Sequence, residues 1–150
     1  MAGIATGAVI LRRRDGHNWL RADNVPLGYR GAAGAHVARV FAAQDFLDAR
    51  PPEALLDAVL APAPDALLVE RADARDGGFR PEHARLVLEA GVRLSGRFEL
   101  EAEPIVARLD GRRRLRDVLP DGDCAPPVLD AVRELLARGF LEVVGEDDHA

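Results

Sequence analysis

The chain has 150 residues, a net charge of −5, 48% apolar and 30% charged residues, and aromatics at only 5%. That length supports one ordinary domain or two very small ones. All 20 basic residues are Arg, and the absence of Lys excludes Schiff-base chemistry and a P-loop lysine.

With so few large side chains, Trp19, Phe41, Phe46, Phe79, Phe98 and Phe140 are each expected to be at least partly buried. The single Cys124 forms no internal disulfide, which fits a reducing compartment. The apolar run from Ala2 to Leu11 is too short to span a bilayer, and Arg12, Arg13 and Arg14 follow it where a signal peptide has its charges first. A cytoplasmic protein without a membrane segment is the expectation.

In chain order, Ala8 to Arg14 reads as a strand, Asp15-Gly16 as a tight turn, and Asn18 to Arg21 as the returning arm of an N-terminal β-hairpin. Asn24 to Gly34 is a loop. From Ala35, the spacing of Val37, Val40, Phe41 and Leu47 predicts one face of a helix that ends at Arg50-Pro51-Pro52. Pro52 and Glu53 open a second helix with Leu55, Leu56, Val59 and Leu60 as its stripe, closed by Ala61-Pro62-Ala63-Pro64. Ala66 to Arg71 and Ala84 to Glu89 form another hairpin around a turn at Asp73 to Gly78.

The last third is the most regular. Glu99 to Leu109 is predicted helical with Leu100, Ile105, Val106 and Leu109 apolar, provided Pro104 lies in the first turn. Asp110-Gly111 breaks the chain, Arg114 to Leu119 is a short helix, and Pro120 to Asp123 is a turn. Pro127 to Arg138 is a longer helix with Val128, Leu129, Val132, Leu135 and Leu136 inward and Gly139 as its C-cap. Phe140 to Val144 returns as a strand before an acidic tail, Glu146 to Ala150. The expected fold is α+β, with a hairpin and helices over residues 1–78 and a winged helix-turn-helix over residues 79–145.

Catalytic side chains are scarce: Ser95, Thr6, Cys124 and Tyr29 are each the single residue of their type, and no spacing ties Ser95 to a histidine. His17, His36, His83 and His149 never approach one another at ligand spacing. Asp121, Asp123 and Cys124 are the nearest thing to a cation site, but a glycine turn before a Pro-Pro helix start explains them equally well. Gly31-Ala32-Ala33-Gly34 precedes a helix as a phosphate-binding turn would. It follows a loop where a dinucleotide fingerprint needs a strand, and no later strand ends in a suitable acid.

No catalytic, cofactor or metal residue is therefore assigned. The candidate partner surface is Arg112, Arg113, Asp130, Arg133, Glu134 and Arg138. On the last helix the outward Asp130, Arg133, Glu134 and Arg138 sum to no net charge and include no Asn, Gln, Ser or Thr to read bases. Together with the acidic chain, this favours a polypeptide partner over nucleic acid.

The stretch from Phe98-Glu99-Leu100 through Leu109-Asp-Gly-Arg-Arg-Arg-Leu-Arg-Asp-Val-Leu119, with Val128 to Leu141, resembles the small winged-helix domains that serve as the peptide chaperone of pyrroloquinoline quinone biosynthesis and as leader-peptide recognition elements. The first half, Gly7-Ala-Val-Ile-Leu-Arg-Arg-Arg14 through Asp23 and His36 to Leu47, is similar to the region after the catalytic domain of actinobacterial class I S-adenosylmethionine-dependent methyltransferases. The resemblance implies that Ala8 to Leu11 is the last strand of a methyltransferase sheet, and that the chain is a non-catalytic accessory segment. It also implies that S-adenosylmethionine binds only in an upstream domain. A lone hairpin this apolar leaves open edges, which suggests a fragment, a split gene or a partner-dependent subunit, with self-association through the hairpin as one outcome. The alternatives are a free-standing peptide-recognition module, with an extended peptide added to the wing strand beside the third helix, and a winged-helix regulator.

Overall fold

The computed structural model describes residues 8–13, 15, 18–25, 33–75, 78–120 and 125–145, with the side chains of Arg75, Phe79 and Arg80 outside that description. Gly16 of the expected Asp15-Gly16 turn, Asp121 to Asp123 of the expected turn from Pro120 to Asp123, and the acidic tail Glu146 to Ala150 lie outside these residues.

The first regular element is α1 (Gly34–Ala49), which ends where expected, because a residue before proline is pushed out of helical geometry. Arg50 accordingly takes φ −135° and ψ 149°. His36 and Ala43 are buried against the core, whereas Val37, Val40, Phe41, Phe46 and Leu47 are half-covered. Part of that cover comes from the N-terminal segment, and there the expected hairpin is corrected. No strand forms among the described residues of 8–25. The segment instead follows α1: Trp19 meets Phe41 with ring centroids 5.6 Å apart, the Arg12 guanidinium lies 5.3 Å from the Phe41 centroid, and Arg12 also pairs with Asp45. Arg21 reaches the carbonyl of Ala137 and the Asp23 carboxylate. An isolated two-stranded ribbon is marginal in water, and these contacts to α1 and its neighbour replace it. Val9 and Leu11 remain 84% and 88% exposed.

The second expected helix is shorter than the Leu55-Leu56-Val59-Leu60 stripe suggests. A 3-10 turn spans Pro52–Asp57, and at Ala58 the backbone becomes extended (φ −74°, ψ 141°). Leu60–Pro62 is then a strand, β1. So short a helix has little intrinsic stability, and the following backbone finds stronger partners. Ala58, Val59 and Leu60 carbonyls accept from Leu115, Val144 and Gly111 at 2.9, 2.9 and 3.0 Å, and Ala63 donates to Phe140 O at 2.9 Å.

A three-stranded antiparallel sheet follows, in the order β2 (Ala66–Arg75), β3 (Gly78–Leu88), β4 (Ser95–Phe98). The β2–β3 hairpin agrees with expectation and is longer. Its register shifts between Arg71 and Ala72, opposite the step from Pro81 to His83; proline cannot donate to the ladder and is tolerated at such irregularities. The boundary expected at residue 78 falls in this hairpin, and residues from both sides of it belong to one core cluster. β4 was not among the expected strands, although Leu94, Gly96 and Phe98 alternate with Arg93, Ser95 and Arg97 in the manner of a half-buried strand.

The expected helix from Glu99 to Leu109 is divided into a 3-10 turn, Leu100–Ala102, and α2 (Glu103–Val106). Pro104 sits in the first turn of α2, as required of a residue without an N–H. Asp110 folds back on the next turn by accepting from the Arg112 and Arg113 amides at 2.9 and 3.1 Å. Gly111 takes φ +71° there. α3 (Leu115–Val118) and α4 (Pro126–Ala137) match expectation, and Val128, Val132, Leu135 and Leu136 of α4 are buried. Gly139 (φ +70°) donates to Leu136 O and Phe140 to Leu135 O, at 2.9 and 3.0 Å. This is the paired bonding by which a glycine after a helix satisfies its last carbonyls.

β5 (Leu141–Val143) is the final strand, paired antiparallel with β1 (Leu60↔Val143, Pro62↔Leu141). The fold is therefore α+β, with two small antiparallel sheets among the described residues. Its core centres on Phe140, Leu55, Leu60, Leu88, Leu115, Leu135, Leu136 and Leu141, all less than 2% or at most 2% exposed. Of the aromatics expected to be covered, Trp19, Phe41 and Phe46 are half-buried and Phe98 and Phe140 buried.

Candidate functional site

The surface expected to bind a partner is divided between two places. Arg113 is held by Asp110 (Nε to Oδ2, 3.0 Å) and by the Arg108 carbonyl at 3.1 Å, while Arg112 is exposed on the same turn. The Asp110 carboxyl is held below the usual carboxylate range, first by the Arg112 amide and then by the Arg113 amide and side chain. Asp130, Arg133 and Glu134 are exposed on α4. Arg138 is not free: it reaches Glu134 at 3.5 Å and the Ser95 carbonyl at 3.2 Å, and its guanidinium lies 5.3 Å from the Phe140 ring centroid. Among the described residues no hydrogen bond or ion pair joins the Arg112–Arg113 turn to α4. The neighbouring Arg114 and Arg116 converge on Asp57 at 3.8 and 2.7 Å.

Ser95 is exposed on β4, and its backbone carbonyl serves Arg138. His83, on β3, lies 3.5 Å from Glu82. Among the described residues no group of three His, Cys, Asp or Glu side chains is placed to hold a metal ion, and no helix is long and apolar enough to cross a membrane. His17, His149, Asp121, Asp123, Cys124 and Gly31-Ala32 lie outside those residues. A mostly aliphatic cleft of about 290 Å³ opens beside Ala38, Ala42, Leu136 and Val143. Arg39 at its margin is already bonded to Gly139 O and Asp65 Oδ1, each at 3.1 Å.

His36 is 7% exposed, and among the described residues its Nδ1 has no hydrogen-bond partner. Burial lowers its pKa from 6.5, with the Arg39 and Arg21 charges acting in the same direction. A histidine whose folded-state pKa is depressed binds its proton better when unfolded, so stability is full above pH 6.5 and falls as the pH drops below it. We expect the thermal midpoint to fall between pH 7.5 and 5.5, more steeply in wild type than in His36→Leu; equal slopes would show that His36 is not the titrating group.

Backbone geometry defines the surface best suited to a partner. Leu88 N–H donates to Leu94 O at 2.9 Å in the same register that pairs Leu86 with Gly96 and Ala84 with Phe98. Hydrogen-bonded and non-hydrogen-bonded pairs alternate along an antiparallel ladder. Gly96 and Phe98 therefore point their amides and carbonyls at β3, and Ser95 and Arg97 point theirs outward. β4 is an edge strand. Arg138 occupies the Ser95 carbonyl and the Ala102 amide the Glu99 carbonyl, at 3.0 Å, leaving the Arg97 N–H and C=O at the centre of the edge. The sequence could not show this, because register and not residue type decides which amide faces out.

No protein-family model matches the chain, and a search of curated proteins returns no match.

Proposed function

We propose that this chain is a non-catalytic polypeptide-recognition segment that accepts an extended peptide on the β4 edge, as the accessory part of a class I S-adenosylmethionine-dependent methyltransferase. The observation that carries the reading is the β4 edge centred on Arg97, which no strand pairs among the described residues, since a strand edge is a template for another chain. The order α2, α3, α4, β5 supports a winged helix-turn-helix, though β5 pairs with β1 and not with a second wing strand. The methyltransferase context rests on the sequence resemblance. It is supported by the exposure of Val9, Ile10 and Leu11, an apolar run suited to a sheet. No residue of this chain is assigned to the cofactor. The acidic Asp130 and Glu134 on the outer face of α4 count against a DNA-binding regulator.

The test is Arg97→Pro. Proline at an edge position whose N–H faces away from the sheet removes no ladder bond to β3, so the variant is expected to keep its circular dichroism spectrum. Peptides selected by phage display against the wild-type chain should lose at least about tenfold in affinity, the effect of one or two lost backbone hydrogen bonds. Unchanged affinity in the folded variant would remove the β4 edge as the binding site. Calorimetry with S-adenosylmethionine supplies the second arm: no heat is expected, and tight binding would overturn the accessory reading.

A further inference from the structure

Ala84, Leu86, Leu88, Gly96 and Phe98 turn one face of the three-stranded sheet to the core, which leaves Val69, Arg85, Val87 and Arg97 on the outer face, half-exposed or exposed. Across that outer face the register makes one row of Val69, Arg85 and Arg97. Arg85 and Arg97 are directly opposite each other in a non-hydrogen-bonded position, where facing side chains come closest. Like charges so placed are mutually destabilising. Arg71, one row away on the same face, is supplied with Asp73 at 3.4 Å and Glu82 at 3.5 Å. Among the described residues no acidic side chain forms an ion pair with Arg85 or Arg97. Two facing cations beside an open strand edge form an uncompensated arrangement, and a carboxylate would relieve it.

Resting on the reading of β4 as the docking edge, we infer that the peptide accepted there carries an acidic residue flanked by apolar ones, with its carboxylate beside Arg85 and Arg97. The geometry follows from the edge. A residue bonded to the outward amide and carbonyl of Arg97 lies directly opposite it and shares its face of the sheet, so it continues the Val69–Arg85–Arg97 row. Its two neighbours turn to the inner face, beside Gly96 and the buried Phe98, the face that carries the apolar core. The next outer position comes beside Glu99, which disfavours a second acid. The recognised pattern is therefore apolar–acidic–apolar with a single carboxylate.

The probes are three peptides, Val-Ser-Val-Glu-Val-Ser-Val and the same sequence with Gln or Lys at the centre, titrated into the full chain while backbone amide resonances are followed. We expect the Glu peptide to bind about three- to tenfold tighter than the Gln peptide, the effect of solvent-accessible ion pairs. That margin should shrink in high salt, as screening requires. In the double variant R85E/R97E, which exchanges one like-charged pair for another at exposed and half-exposed positions, the order should reverse to favour Lys. Equal affinity for Glu and Gln would overturn the acidic preference while leaving the edge reading intact. No binding of any peptide would overturn both. Binding of a single-stranded oligonucleotide at Arg85 and Arg97 in preference to the Glu peptide would also overturn it.

Discussion

Phe140→Ala is expected to lower the unfolding free energy by about 3–5 kcal/mol, the range for truncating a fully buried aromatic. Phe140 is 0% exposed and joins three parts of the molecule. Its amide bonds to Leu135 O at the end of α4, its carbonyl accepts from Ala63 after β1, and its ring lies over Gly96 of β4. A side chain on Gly96 would place a Cβ 2.7 Å from one ring carbon and 3.1 and 3.2 Å from two others. Gly96→Ala should therefore cost about 1–3 kcal/mol by overpacking. The two effects must couple, because the clash exists only while the ring is present. In the Phe140→Leu background Gly96→Ala should cost less, by a coupling energy of about 0.5–3 kcal/mol. Urea unfolding of the two single variants and the double variant measures all three quantities. A cost for Gly96→Ala that is the same in both backgrounds would show that the ring is not what keeps position 96 empty.

The contact between Gly96 and Phe140 also shows which parts of this molecule the sequence reveals. α4 was legible because Val128, Val132, Leu135 and Leu136 repeat at helical spacing and Gly139 closes the run. α3 and β5 were legible because Gly111 and Gly139 punctuate them. β4 was overlooked because its central inward position is a glycine, so the alternation lacks an apolar side chain where the fold needs empty space. β1 was mistaken for the end of a helix because Leu60 continues a helical stripe, and its partners Gly111, Phe140 and Leu141 to Val143 are distant in sequence. The N-terminal hairpin failed for a related reason. Asp15-Gly16 is a sound local turn signal, yet the partners of Trp19 and Arg12 lie on α1. Charge and position in the sequence point to α4 and the Arg112 turn as the binding surface. Arg85 and Arg97 carry no signal in sequence, since only the β3–β4 register brings them face to face.

Gly139→Ala is the second large effect, with an expected loss of about 2–4 kcal/mol. Part of it is backbone strain: φ is +70°, and a non-glycine residue in the left-handed region costs about 1–2 kcal/mol. The rest is crowding, because a Cβ there would lie 3.1 Å from Val40 Cγ2 and 3.2 Å from the Cε1 and Nδ1 atoms of His36. The two contributions are separable. In the His36→Ala background the crowding from the imidazole disappears while the strain remains, so Gly139→Ala should cost less there but not become neutral. Gly139→Asn, whose side chain is better tolerated at positive φ, should recover part of the strain and none of the crowding. Because α1 meets the end of α4 at this point, the crowded variant should also disturb the seating of His36 and raise its exposure. The pH dependence between 7.5 and 5.5 should then flatten alongside the loss of stability. A Gly139→Ala variant that loses less than about 0.5 kcal/mol, the ordinary range for an inconsequential surface change, would show that neither the left-handed turn nor the contact with α1 constrains this position.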